Sequence, residues 1–241
     1  MIRTAIILAG GLGTRLRSAV PDLPKCMAPV AGRPFIAWLT DYFRQGGIDR
    51  FIFALGYKSD HFDDFLRSTP PSDNYRISVE HEPLGTGGAI QLACTQTDDD
   101  TVLILNGDTF FRVHPEELAA FHEAQQADCT LCLRPMHNFD RFGVVELDAD
   151  RRVHSFREKQ FYTEGLINGG VYALNRTHFL REGLPKKFSF EKDYLEKFYT
   201  RRRLFGLVQD EYFIDIGIPE DYERAQHDFS GSSGITWPGT K

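Results

Sequence analysis

Four cysteines in 241 residues, at 26, 94, 129 and 132, are too few and too scattered to staple a chain of this size. Cys129 and Cys132 do form a C-x-x-C, but "ADCTLCLRP" alternates as a strand does, which sends the two thiols to opposite faces. No second pair stands ready to complete a zinc set, so structural zinc and thiol redox chemistry are set aside. Basic charge is also scarce: 28 Lys and Arg against 34 Asp and Glu leave a net charge of −6 and a pI near 5.8. The long-range field therefore repels nucleic acid and anionic membrane, and neither is expected as a partner. Long apolar runs are missing as well. The first, Ala5 to Ala9, breaks at glycines far short of the ~20 residues that span a bilayer, and reads as neither signal peptide nor membrane helix; a cytoplasmic location is the expectation.

What is present is an ordinary globular composition, 41% hydrophobic and 26% charged, in a chain long enough to bury a substantial core within one domain. Short β-branched runs predict strands over Thr4 to Leu8, Phe51 to Leu55, Ile77 to Glu80 and Val102 to Leu105. Amphipathic segments predict helices over Phe35 to Arg44, Asp60 to Arg67, Ala89 to Thr95 and Pro115 to Gln126. That βαβα order implies a mainly parallel sheet covered on both faces. Further strands are expected over Cys129 to Leu133, Val144 to Leu147, Val153 to Arg157, Gly170 to Leu174 and Leu204 to Leu207, added to the same sheet in mixed orientation. Helices are expected over Phe190 to Tyr199 and Pro219 to Asp228. "SGSSG" at 230 to 234 opens a tail.

The first strand runs into "LAGGLGTRL", Leu8 to Leu16. It fails the Walker pattern, because no lysine follows its glycines at the required spacing. It also fails the dinucleotide pattern, since Leu16 stands where the third glycine belongs and no acidic residue lies near position 36. What remains is a loop of amides, Gly10, Gly11, Leu12, Gly13 and Thr14, able to close around a polyphosphate, with Arg15 as a cationic fork and Lys25 as a second charge if the chain folds back. A plain tight turn with solvated Arg15 and Lys25 is the competing reading. Downstream, Asp108 follows the strand Val102 to Leu105 in "NGD", and Asp215 stands before Gly217 in "DIGIPEDY". Carboxylates at strand ends suit Mg²⁺, which takes one or two of them together with phosphate and water. Capping of a turn or helix is the alternative use of an Asp beside Gly.

Six ordered motifs then resemble those of the sugar-1-phosphate nucleotidyltransferases. They are "LAGGLGTRL" with Pro24-Lys25, "EPLGTGGAI" at 82 to 90, "NGD" at 106 to 108, "FREK" at 156 to 159, "NGGVY" at 168 to 172 and "DIGIPEDY" at 215 to 222. The resemblance implies an α/β fold: a Rossmann-like three-layer α/β/α nucleotidyltransferase domain with a mixed, mainly parallel sheet over residues 1 to 229, followed by a tail at 230 to 241. It implies the transfer of a nucleotidyl group from a nucleoside triphosphate to a sugar 1-phosphate, with release of pyrophosphate. Residue by residue, it implies that Leu8, Gly10, Gly11, Gly13, Thr14, Gly85, Thr86 and Gly107 bind the nucleotide and that Arg15 meets the leaving pyrophosphate. Lys25 would contact the α-phosphate region, and Asp108 and Asp215 would hold Mg²⁺. Glu158, Lys159, Asn168 and Gly169 would face the sugar phosphate.

Glu80 stands where relatives using thymidine or uridine triphosphate carry Gln. A carboxylate accepts two parallel hydrogen bonds from the N1 and exocyclic amine of guanine, so GTP is the expected triphosphate; a strand-end surface carboxylate is the other reading of Glu80. Within the family the wording is most similar to the heptose 1-phosphate guanylyltransferases. Mannose-1-phosphate guanylyltransferases, other nucleotidylyltransferases of the family and a non-catalytic nucleotide-sugar-binding module are the alternatives, and a homo-oligomer is left open. Gln160 departs from the Pro that often follows Glu-Lys, and the tail with Trp237 matches nothing in the family pattern.

Overall fold

The computed structural model describes residues 1–10, 20, 23–56, 62, 65–66 and 74–231. Gly11, Gly13, Thr14 and Arg15, together with Trp237, lie outside the described residues. Strands β1 (Thr4–Leu8), β4 (Arg50–Leu55), β5 (Tyr75–Val79) and β6 (Thr101–Asn106) are mutually parallel in the order β6-β1-β4-β5. Between β1 and β4 come a short ribbon, β2 (Pro29–Val30) with β3 (Arg33–Pro34), and helix α1 (Phe35–Gln45). The sheet continues beyond β6 through the antiparallel β11 (Tyr162–Asn175) to β8 (Cys129–Phe139) and β12 (Leu204–Val208). A hairpin of β9 (Val144–Leu147) and β10 (Val153–Arg157) joins the N-terminal half of β11, which completes nine strands among the described residues. The expected mixed, mainly parallel sheet is observed.

Alternation along the strands divides the core in two. Ile7, Phe53 and Leu105 face one layer, packed under α1, α3 (Pro115–Ala124) and α6 (Pro219–Asp228). Ile6, Ile52 and Ile104 face the other, under α2 (Gly85–Ala93), α4 (Arg176–Leu180) and a π-helical turn at Phe190–Leu195. Helix α1 places Phe35, Ile36, Leu39, Tyr42 and Phe43 on one buried stripe at helical spacing, and it ends at Gly46. Each fully buried Phe or Leu of this kind contributes about 1.5–3 kcal/mol. Cys129 and Cys132 lie on opposite faces of β8, one in each core, as the alternation requires.

Several boundaries differ from the sequence expectations. β5 begins and ends earlier than predicted, and α2 starts at Gly85 rather than Ala89, because "GTGG" is helical and not a loop. β8 runs on to Phe139. β11 begins at Tyr162, eight residues before the predicted start; its register shifts between Asn168 and Tyr172, where Gly170 takes φ +71°. The predicted helix at 190 to 199 is a π-helical turn followed by the short α5 (Glu196–Phe198). The helix predicted at 60 to 67 lies largely outside the described residues, although Phe62 and Phe65 are buried with their rings near Phe53.

Candidate active site

The C-terminal ends of the four parallel strands converge, the position at which open α/β sheets place their ligands. Leu8 ends β1, and its carbonyl accepts the Gly107 amide at 3.0 Å. A side chain at Gly107 would sit 2.6 Å from that oxygen, so only glycine permits β1 and the turn after β6 to close together. Gly10 approaches Gly56, at the end of β4, just as tightly: a Cβ on Gly10 would lie 2.7 Å from the Gly56 nitrogen and 3.3 Å from Glu80 Oε1. Glu80, directly after β5, therefore stands beside Gly10 and Gly56. Its Oε2 accepts the Leu84 amide at 2.9 Å, which ties it to the start of α2.

Asp108 and Asp215 are brought together by a ribbon that the sequence reading missed. β7 (Thr109–Phe111) pairs antiparallel with β13 (Phe213–Asp215), Thr109 opposite Asp215, and the Ile216 amide donates to the Asp108 carbonyl at 3.0 Å. Lys25 reaches the pair from a 3-10 turn at Lys25–Met27, held down where Cys26 packs near Gly107 and Ala9. Its Nζ donates to Asp108 Oδ2 at 3.2 Å, with the lysine side chain only 16% exposed. Burial, and then the Asp108 charge, raise the Asp215 carboxyl above its usual range; the Gly217 amide, Lys25 and Arg141 pull the other way. Gly217 is in contact as well, since a Cβ there would meet Asp215 Oδ1 at 2.7 Å and Lys25 Nζ at 3.3 Å.

Two partly buried carboxylates beside one ammonium are a set of hard oxygen donors with negative charge to spare. That suits a divalent cation which takes its remaining ligands from phosphate and water. Among the described residues no group of three or more His, Cys, Asp and Glu forms a cage. A testable consequence follows from the raised Asp215 carboxyl. The folded chain binds that proton more tightly than the unfolded chain, so stability falls as pH rises from the ordinary carboxylate range through the raised value. In metal-free buffer at pH 7, Asp215→Asn is expected to raise the thermal midpoint, and the gain should shrink as the pH is lowered into the carboxylate range. A lower midpoint at pH 7 would contradict the burial and repulsion that hold this carboxyl up.

The remaining predicted residues divide. Asn168 sits at the β11 bulge, where its Oδ1 accepts the Gly170 amide and its Nδ2 donates to the Tyr172 hydroxyl at 2.8 Å. Gly169 is buried against the Phe111 ring. Glu158 and Lys159 are exposed at the end of β10. Gly85 and Thr86 are exposed at the start of α2, close to the segment carrying Lys186 and Phe188. Sequence reasoning missed Gly56, Arg141 and Glu191; each gains its meaning from contacts far away in sequence, so no local signal marks it.

A family profile described as Nucleotidyl transferase matches residues 4–231. The chain is 46% identical over 222 residues to D-glycero-alpha-D-manno-heptose 1-phosphate guanylyltransferase of Aneurinibacillus thermoaerophilus, covering 92% of this chain and 96% of the relative. It is 41% identical over 218 residues to the protein of the same description from Campylobacter jejuni subsp. jejuni serotype O:2, covering 90% and 96%. Among solved structures, HddC from Yersinia pseudotuberculosis complexed with GMP-PN matches with a TM-score of 0.84 at 36% identity, covering 95% of this chain and all of that one. Among the described residues, no helix is long and apolar enough to cross a membrane.

Proposed function

The chain belongs to the nucleotidyl transferase family, and from that premise we propose that it transfers the guanylyl group of GTP to D-glycero-α-D-manno-heptose 1-phosphate, giving GDP-heptose and pyrophosphate. The observation that carries the reaction type is the meeting of Lys25, Asp108 and Asp215 at the carboxyl ends of the parallel strands. Identity of 46% along nearly the whole of both chains supports the choice of base and sugar. Residues 1–229 form the catalytic domain in this reading, with 230–241 as a tail.

The chemistry asks for positioning and charge neutralisation. The sugar phosphate is already largely dianionic near pH 7, so one of its oxygens attacks the α-phosphorus without a general base. The new O–P bond forms as the bond from the α-phosphorus to the bridging oxygen breaks, and pyrophosphate leaves with the electron pair. Two polyanions must be held in line while charge shifts to the leaving group, which is work for fixed cations and amide dipoles. Lys25 neutralises charge at the α-phosphate, and Arg15 and the amides of Gly10, Gly11, Gly13 and Thr14 hold the departing phosphates. Leu8 and Gly107 form the floor beneath the triphosphate, and Gly85 and Thr86 line the base and ribose side. Glu80 accepts from the guanine N1 and exocyclic amine, while Glu158, Lys159, Asn168 and Gly169 hold the sugar phosphate. Asp108 and Asp215 would hold Mg²⁺, which when bound supplies further neutralisation of the phosphate oxygens.

Pyrophosphate release from each of ATP, GTP, CTP and UTP, paired with heptose, mannose and glucose 1-phosphates in the presence of Mg²⁺, tests this. Release fastest with GTP and heptose 1-phosphate is expected. Preference for mannose 1-phosphate would replace the sugar, preference for another triphosphate would remove the role of Glu80, and no release in any pairing would end the enzymatic reading.

A further inference from the structure

The glycines of "EPLGTGG" have a use in the described fold that involves no ligand. The chain from Lys186 to Glu191 crosses the N-terminus of α2 as a strap. The Phe188 amide donates to the Leu84 carbonyl at 3.0 Å, and the Gly87 amide donates to the Phe188 carbonyl at 3.0 Å. A Cβ on Gly85 would lie 2.5 Å from the Phe188 carbonyl oxygen, one on Gly87 2.1 Å from the Phe188 ring, and one on Gly88 2.3 Å from the Lys186 carbonyl oxygen. Three of these residues are thus glycine because the strap occupies their side-chain positions.

The strap is fastened by side chains. Thr86 Oγ1 accepts the Phe190 amide at 2.8 Å and donates to Glu191 Oε2 at 3.0 Å, and the same carboxylate oxygen accepts Ser189 Oγ at 3.2 Å. At its far side the strap reaches β11. The buried Phe190 ring meets the Tyr172 ring edge-on with centroids 5.2 Å apart, and the Tyr172 hydroxyl accepts from Asn168. Burial first, and the Glu191 charge second, hold the Tyr172 phenol well above its ordinary range. Hydrogen bonds and ring contacts therefore run from Glu80 and Leu84 through the strap and Thr86 to Phe190, Tyr172 and Asn168, with Glu191 holding Thr86 and Ser189 beside that path.

We propose that Glu191 is a positioning residue: by holding Thr86 it fixes the start of α2 against the β11 bulge, and so sets the nucleotide side of the cleft in register with the sugar side. The inference rests on the substrate assignment above for its kinetic consequence but not for its structural one. A two-substrate transfer that needs in-line geometry is sensitive to such register, since displacement of about 1 Å can cost on the order of a hundredfold in rate. Loss of the clamp should therefore appear mainly in kcat, with the KM values for the two substrates moving less. Glutamine keeps an acceptor oxygen for Thr86 and Ser189, whereas alanine keeps none.

The test compares wild type with Glu191→Ala, Glu191→Gln, Thr86→Val and the Glu191→Ala/Thr86→Val double variant. It uses amide hydrogen exchange over Leu84 to Gly88 alongside steady-state kinetics with GTP and heptose 1-phosphate. Expected are at least tenfold faster exchange at the Thr86 and Gly87 amides and at least tenfold lower kcat in Glu191→Ala, rescue to within about threefold in Glu191→Gln, and a double variant no worse than the poorer single one. Unchanged exchange and kcat in Glu191→Ala, no rescue by Gln, or losses that multiply in the double variant would each overturn the proposal. Should Glu191→Ala fail to fold, Thr86→Val against Glu191→Gln carries the same comparison. If wild type turns over no substrate pair, the substrate assignment fails while the exchange data still judge the clamp.

Discussion

Asp108→Asn is expected to lower kcat about a thousandfold, roughly 4 kcal/mol of barrier, while leaving the chain folded. The amide is isosteric but neutral. It gives up the charge that would hold a divalent cation and deprives Lys25 of its partner at 3.2 Å. The cost to folding should be small because two effects oppose. The ion pair is partly solvated and modest in worth, and its loss coincides with relief of the repulsion that helps raise the Asp215 carboxyl. Initial rates across a Mg²⁺ titration, with a thermal melt of the same preparation, check both halves. A fall of less than tenfold at saturating Mg²⁺ would remove Asp108 from the reacting centre.

Gly85→Ala is expected to destabilise the fold by about 3 kcal/mol. Two costs add: roughly 1–2 kcal/mol for a side chain in the left-handed region, and about as much again for overlap with backbone. Gly85 has φ +73°, and the new Cβ would stand 2.5 Å from the Phe188 carbonyl oxygen, which belongs to main chain and cannot rotate away. For a domain of this size the thermal midpoint should fall roughly 6–12 °C. Gly32→Ala is the natural control: φ there is +79°, but nothing lies within 4 Å of the added carbon. Only the conformational cost remains, so a drop about half as large is expected. Equal drops for the two variants would mean that the strap gives way freely, and that its contact with α2 is weaker than its geometry implies.

The strands β1, β4 and β6 were legible because each is a short apolar run buried on both faces, and such runs announce themselves without their partners. Helix α1 was equally plain from its stripe of Phe35, Ile36, Leu39 and Phe43. Two of the boundaries that failed lie at glycines. Gly85, Gly87 and Gly88 read as a loop, yet they begin a helix because a distant segment occupies the space beside them. Gly169 and Gly170 hid the first half of β11 in the same way, since a bulge permits strand on both sides of residues that seem to end one.

A similar division applies to the site. Asp108 and Asp215 could be picked out from sequence as acids following apolar strands, and Lys25 as a cation after the glycine loop. Their residue types determined that oxygen donors and a fixed positive charge were available, because ionisation and donor chemistry belong to the side chain itself. Only the tertiary structure decided that they meet. The β7–β13 ribbon joins segments about a hundred residues apart, and the 3-10 turn at Lys25 folds back onto it. Glu191 shows the same limit from the other direction: in sequence it is one more helical acid, and its hold on Thr86 exists only because packing closes a separation of 105 residues. Local pattern fixes which groups a chain can offer; burial and long-range hydrogen bonds decide which of them share a cleft.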